Sequence, residues 1–479
     1  MPGNPARLSF PPGPGILEIL YEWMRGQKDI AQTFHGWNKK HGPIVYARVG
    51  AKRFTILGTR LVARDLLEKR AAIYSSRGPS IFLDKYLHQG LAAAFMPYGT
   101  QWRLHRQLHS NLLNMKASKS YLKLQELGSG KLMHQFLFAN DYSDIFYKYT
   151  SSTMYTLAYG NERQEKSDIA DENNYNHHKR LRQINEMATF ILQNASQGTI
   201  LLDLFPLFDK IPPKMSMNWR ERARELHNRT KNVYVECADT ALESKESWNW
   251  SIEADSRREK GDQTEFTWEE MCYSIGELYV AGIHTTKMVL ENFVEISLQN
   301  PEAVNKAQAE LDSVIGTKRL PSFSDRDNLP YINAFISELL RRRPISPLGV
   351  PHMVTQDDEY MGYRIPAGTI IVANQIGMNM DETIFDDPEN FDPDRYIRNV
   401  NLPPPATFGF GRRQCPGHHI ARANLFIVIS RLLWGYDIKS DTDNTDYKGT
   451  AWSEKPIFVV RSDEHRNIIE DMVVEAKSC

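Results

Sequence analysis

The stretch Phe408-Gly409-Phe410-Gly411-Arg412-Arg413-Gln414-Cys415-Pro416-Gly417 decides the fold of this 479-residue chain. It sets a cysteine on a glycine-punctuated loop, one residue before a proline and two before a glycine. An apolar pattern at helical spacing follows, through Ile420, Ala421, Leu425, Phe426, Ile429 and Leu433. Such a loop presents one sulfur from a stiff turn at the mouth of a helix. Gly411 and Gly417 permit backbone angles and close approaches that a Cβ would forbid. Backbone N–H groups near the helix start can then point at the sulfur and favour its thiolate form. One cysteine cannot complete a zinc or iron–sulfur cage, which leaves heme iron with the thiolate as axial ligand. The plainer alternative is a cysteine buried in a turn.

The pattern Phe408-x-x-Gly411-x-Arg413-x-Cys415-x-Gly417 resembles the heme-binding signature of the cytochrome P-450 superfamily. The resemblance implies a mainly helical fold with a smaller β-rich part, in one large domain that encloses heme b at Cys415. It covers residues 16–479, behind a proline-rich hinge at 1–15.

Composition agrees with an enzyme of this kind. The net charge of −1 argues against a nucleic-acid binder, which would carry a basic excess. Cys237, Cys272, Cys415 and Cys479 are too few and too scattered for a disulfide framework, so a reducing compartment is expected. No run of apolar residues is long enough to span a bilayer. Phe10-Pro11-Pro12-Gly13-Pro14-Gly15 reads as a rigid polyproline-like segment. In microsomal members of the family such a hinge follows a membrane anchor, and its closeness to Met1 suggests an anchor removed or never present. The native protein is expected on the cytoplasmic face of the endoplasmic reticulum membrane, and this chain as a soluble or peripheral monomer. Leu201–Phe208 is a short apolar run that could dip into a bilayer or pack inside.

Further motifs fall in order along the chain. Residues 43–60 alternate as short strands. The apolar stretch Ile81–Met96 corresponds to the segment that covers the substrate pocket in the family. Trp102 and Arg106 lie one helical turn apart, and the resemblance assigns both to a heme propionate. The chain from Tyr142 to about Ser247 reads as helical with a polar loop at Asn161–Asn176, and Ser247–Thr264 as an exposed connector. Thr267-Trp268-Glu269-Glu270 has the form of a capping box opening a long helix. On that helix, Ala281-Gly282-Ile283-His284-Thr285-Thr286 resembles the oxygen-activation motif, with Ala281, Gly282 and Thr285 on one face. Family members usually carry Asp or Glu where this chain has His284, which either substitutes as proton carrier or is structural.

Glu338 and Arg341, one turn apart, resemble the family's Glu-x-x-Arg pair, with Arg395 as the third member of a buried charge network. Val354–Val372 reads as a hairpin with turns at Met361-Gly362 and Pro366-Ala367-Gly368. His352 matches a basic position at the second propionate. Trp452 precedes a strand, Ile457–Val460, whose turn touches substrate in the family.

The implied reaction is reductive activation of O₂, with electrons from NADPH through a flavoprotein reductase, and hydroxylation, desaturation or oxidative coupling of a mostly apolar small molecule. Segment style resembles fungal secondary-metabolism members. Two other readings are an O₂-independent heme-thiolate isomerase or dehydratase, favoured by His284, and a heme-based sensor or carrier.

Overall fold

A computed structural model of the chain describes residues 8–24, 29–160, 203, 207, 209, 219–244, 247–260, 266–441 and 455–478. Its longest described element is the helix Trp268–Gln299. That helix starts where its sequence says it should. Thr267 accepts from the Glu270 backbone N–H, and the Glu270 carboxylate accepts from that of Thr267. It packs against Tyr142–Tyr159 and Trp219–Ser244 on one side and His418–Gly435 on another. Phe293, Phe335, Leu339, Phe426, Ile429 and Leu433 meet in the core between it, Pro330–Arg342 and His418–Gly435. The helix after the cysteine loop is apolar nearly all round, which is why it lies buried rather than on the surface.

The β-rich part holds a four-stranded sheet in the order Ile44–Val49, Lys52–Leu57, Ile370–Ala373, His352–Met353. The strand containing Phe54–Leu57 runs parallel to Ile370–Ala373, joining segments far apart in the chain. The hairpin Asp358–Tyr360/Tyr363–Ile365 turns at Met361 and Gly362, both with positive φ, as a two-residue turn of this hand requires. The proline-rich segment lies along the sheet. Tyr46 donates its N–H to Pro12 O, Phe10 stacks on Tyr46, and a Cβ on Gly13 would strike Tyr46 O.

One expectation is overturned. The stretch at 247–264 is no simple exposed connector, because Asn249 caps a helix at Trp250–Glu259 and Trp250 is fully buried. The indole Nε1–H donates to Tyr121 Oη at 3.1 Å. The charge that marks this stretch pairs within the helix, as Glu253–Arg257 and Asp255–Arg258. The polar loop Asn161–Asn176, Trp452 and most of Leu201–Phe208 lie outside the described residues. Among the described residues, no helix is long and apolar enough to cross a membrane.

Candidate active site

The cysteine loop is built from two 3-10 turns, Ala406–Phe408 and Gly411–Arg413, closed by Cys415 N–H donating to Phe408 O at 2.8 Å. Gly411 sits at φ +56°, and a Cβ there would lie 2.1 Å from Leu67 O. Only glycine fits. Gly417 differs from expectation, with φ −84° and no protein atom near a built Cβ. Its service is its N–H, which hydrogen-bonds the Cys415 sulfur. Burial pushes the Cys415 thiol up, while the Gly417 N–H and the Arg106 charge pull it back towards thiolate. Cys415 is half-buried, whereas Cys237 and Cys272 are fully buried.

Around this sulfur the chain gathers basic side chains. Trp102 and Arg106 share the helix Thr100–Leu113. The Arg413 guanidinium lies 4.2 Å from the centroid of the Trp102 ring and donates to Ser75 O, Ala93 O and Met96 O. It thus pins two segments to the loop before any ligand is considered. Arg77, which local pattern did not single out, donates to Ala94 O, Val350 O and Pro351 O. His352 donates from Nδ1 to Tyr74 O at 2.8 Å.

Their charges are poorly matched within the protein. Burial, then the neighbouring guanidinium, lowers Arg77 and Arg413 to about 9 each and His352 to about 3. Burial lowers Arg106 too, and only Cys415 opposes it. Among the described residues no carboxylate bears on these four groups, and Arg106 has no hydrogen bond or ion pair there. Three guanidiniums, one buried and two half-buried, beside a neutral histidine and without an acid fit an anionic group, and a heme with its propionates would supply that charge.

The helix Trp268–Gln299 presents a stripe of Ala281, Thr285 and Met288, exposed although its other faces are packed. Thr285 Oγ1 donates back to Ala281 O at 2.7 Å. Gly282 does not join this stripe as expected. Its absent side chain makes room for Met154, whose Cε would lie 2.4 Å from a Cβ there. The gain is close approach to Tyr142–Tyr159. His284 is half-buried, and burial, then Lys287, lowers its pKa.

Behind the loop, Arg341 grips Glu338 and also donates to Asn379 O, Pro388 O and Asn390 O. Arg395 completes the network through Nε to Glu338 Oε1 at 3.1 Å.

The sequence model of the cytochrome P450 family matches residues 11–461. The chain is 37% identical to cytochrome P450 monooxygenase aneD of Aspergillus aculeatus over 98% of its own length and 92% of the relative's. It is 37% identical to cytochrome P450 monooxygenase drtD of Aspergillus calidoustus, covering 90% and 80% of the two chains. Among solved structures it superposes on a zebrafish cytochrome P450 determined with abiraterone at a TM-score of 0.70 and 22% identity, over 90% of this chain and all of that one. A lone cysteine on a glycine-forced loop, a buried Glu–Arg–Arg network behind it and this span of relatedness have one common source: the chain belongs to the cytochrome P450 family, and it is a monooxygenase of that family.

Proposed function

We propose that this enzyme is a heme-thiolate monooxygenase that takes electrons from an NADPH-dependent flavoprotein reductase and hydroxylates, desaturates or couples a mostly apolar small molecule, a secondary metabolite. The observation that carries the reading is the acid-free set of Arg77, Arg106, Arg413 and His352 gathered around Cys415. Heme held there through Cys415 would supply the chemistry of reductive O₂ activation, one oxygen atom going to a positioned C–H bond and the other to water.

The chain's own residues have definite tasks. Cys415 gives up its thiol proton on ligation, a loss favoured by the Gly417 N–H. Arg106 would offer its guanidinium to one carboxylate of the cofactor, and Arg413 keeps Trp102 in place by lying over its ring. His352 spends Nδ1–H on Tyr74 O, so Nε2 can donate to the second carboxylate only as imidazolium. Its site therefore takes up a proton as the cofactor seats. Thr285 spends its own hydrogen on Ala281 O and turns oxygen lone pairs to the opening, where it steadies a proton-bearing water. The proton itself must come from another group, and His284 is the adjacent titratable side chain.

A groove of about 560 Å³ lies on the outer side of the cysteine loop, lined by Glu68, Lys69, Ala71, Gly411, Arg412 and Gln414. It gives the reductase a polar surface close to Cys415. Exposed Ile16 and Leu17 support a peripheral contact with the cytoplasmic face of the endoplasmic reticulum membrane. The test is reconstitution with a reductase and a metabolite library: substrate-dependent NADPH consumption with oxygenated product is expected. Product formed without NADPH or O₂ would transfer the protein to the isomerase or dehydratase reading.

A further inference from the structure

Glu277 lies on the long helix one turn before Ala281 and two before Thr285, on the side that carries the exposed stripe. Its Oε2 accepts from Ala93 N–H at 2.9 Å and its Oε1 from Ala94 N–H at 3.1 Å. Those are its hydrogen bonds among the described residues. The side chain is half-buried although it lies in the middle of a helix packed by protein. Part of Glu277 is therefore left uncovered by the protein packed around its helix.

On its helix side this carboxylate meets neutral groups. Tyr273 and Tyr234 stand close enough to feel its charge, and both phenols are held well above their ordinary range, by burial first. His88 hydrogen-bonds Tyr273 and is held uncharged by burial, with a pKa lowered to about 3. Burial raises the Glu277 carboxyl to about 7 and the two alanine N–H groups pull it back, while on the far side of the same alanines Arg413 donates to Ala93 O and Arg77 to Ala94 O. A carboxylate has lone pairs for about four donors, and two are used here. The adjoining stripe is apolar at Ala281 and Met288, its polar group being the Thr285 hydroxyl, whose hydrogen is spent on Ala281 O, and Ala94, which donates to Glu277, is exposed. On an apolar wall, one convergent polar group decides how a ligand lies.

We propose that Glu277 is the substrate-orienting anchor of the pocket, and that its substrate carries a protonated amine. The assignment rests on the monooxygenase reading above and names the substrate class for that site. The helix rise puts Glu277 roughly 12 Å from Thr285 along the axis. The oxidised carbon therefore lies a short apolar span from the nitrogen, at the Thr285 end.

The test uses heme-loaded protein and matched probes: tertiary N,N-dimethyl arylalkylamines of increasing chain length, each paired with the isostere carrying CH in place of N. Binding is read by calorimetry and by the heme spin-state shift. The amines should bind roughly ten- to a hundredfold more tightly than their isosteres, the range of a hydrogen bond to a charged group. Glu277→Gln should remove that preference, and Glu277→Asp should restore part of it, which a loosened Ala93–Ala94 segment alone would not do. Absence of an amine preference at every chain length, or a preference that survives Glu277→Gln, overturns the assignment. Loss of the thiolate-type carbon monoxide band in the unmodified protein would instead overturn the reading on which it rests.

Discussion

Arg341 holds Glu338 through two parallel hydrogen bonds, Nε to Oε2 at 2.8 Å and Nη2 to Oε1 at 2.7 Å, with both side chains fully buried. Arg395 shares Oε1, and backbone carbonyls of Asn379, Pro388 and Asn390 take the remaining Arg341 donors. Removing one partner of a buried pair strands the other charge, at a cost of about 3–5 kcal/mol. That is comparable with a total stability of about 5–15 kcal/mol. Glu338→Ala and Arg341→Ala should therefore yield little or no heme-loaded protein. Near-normal heme content in both variants contradicts the role.

Arg413 and Arg106 should separate under substitution by lysine. Arg413 uses three donors on three carbonyls and stacks on Trp102, a geometry that an ammonium cannot reproduce. Each lost bond costs about 0.5–1.5 kcal/mol. Arg413→Lys should lower the melting temperature and the heme content together. Arg106→Lys keeps the charge where no protein hydrogen bond is lost, so folding should hold while heme transfers faster to an acceptor apoprotein. Equal behaviour of the two variants would remove the distinction.

Thr285→Ala should keep heme and carbon monoxide binding but divert electrons from product to hydrogen peroxide, measured as peroxide per NADPH. If His284 carries the proton, His284→Ala should do the same more mildly and His284→Asp should retain coupling. Because the His284 pKa is lowered, its protonated fraction grows only on the acid side of neutrality. Coupling in the unmodified enzyme should therefore improve from pH 7.5 to 6, and His284→Ala should flatten that rise. Full coupling at all pH values in His284→Ala assigns the histidine to structure.

Three buried histidines link the core to pH. Burial lowers His88 and His109 to about 3 and His105 to about 4. His105 Nδ1 and His109 Nε2 both meet Ser274 Oγ, tying Thr100–Leu113 to the long helix. The folded values lie below the unfolded value near 6.5, so the stability they confer is complete above about pH 6.5 and lost as pH falls. Each costs about 1.4 kcal/mol per pH unit in that window. The urea midpoint should fall between pH 6.5 and 5.5, the three histidines outweighing Glu277, whose carboxyl, raised to about 7 by burial, opposes them with one proton. A flat midpoint there would show that these imidazoles protonate freely.

The parts legible in the sequence are those whose cause is local. The Thr267–Glu270 cap, the Met361-Gly362 turn and the Glu338–Arg341 spacing each lie within one turn of chain, and each forms as read. The form of the loop around Cys415 was legible because Gly411 must admit Leu67 O and no other residue can. The rest is decided by distant segments. Arg77 joins the basic cluster only because Val350, Pro351 and Arg413 fold onto it, and Glu277 matters only because Ala93 and Ala94 reach it. Trp250 read as exposed because charged neighbours hide a single buried indole from any composition window. Gly282 matched a motif, but its Cβ direction towards Met154 is a packing fact between two helices.

The central claim is that Cys415 is the thiolate ligand of heme iron, and the reduced protein under carbon monoxide tests it most directly. The account predicts the strongly red-shifted Soret band of thiolate ligation, lost in Cys415→Ser and retained when Cys237, Cys272 or Cys479 is replaced by serine. An unchanged band in Cys415→Ser would contradict it.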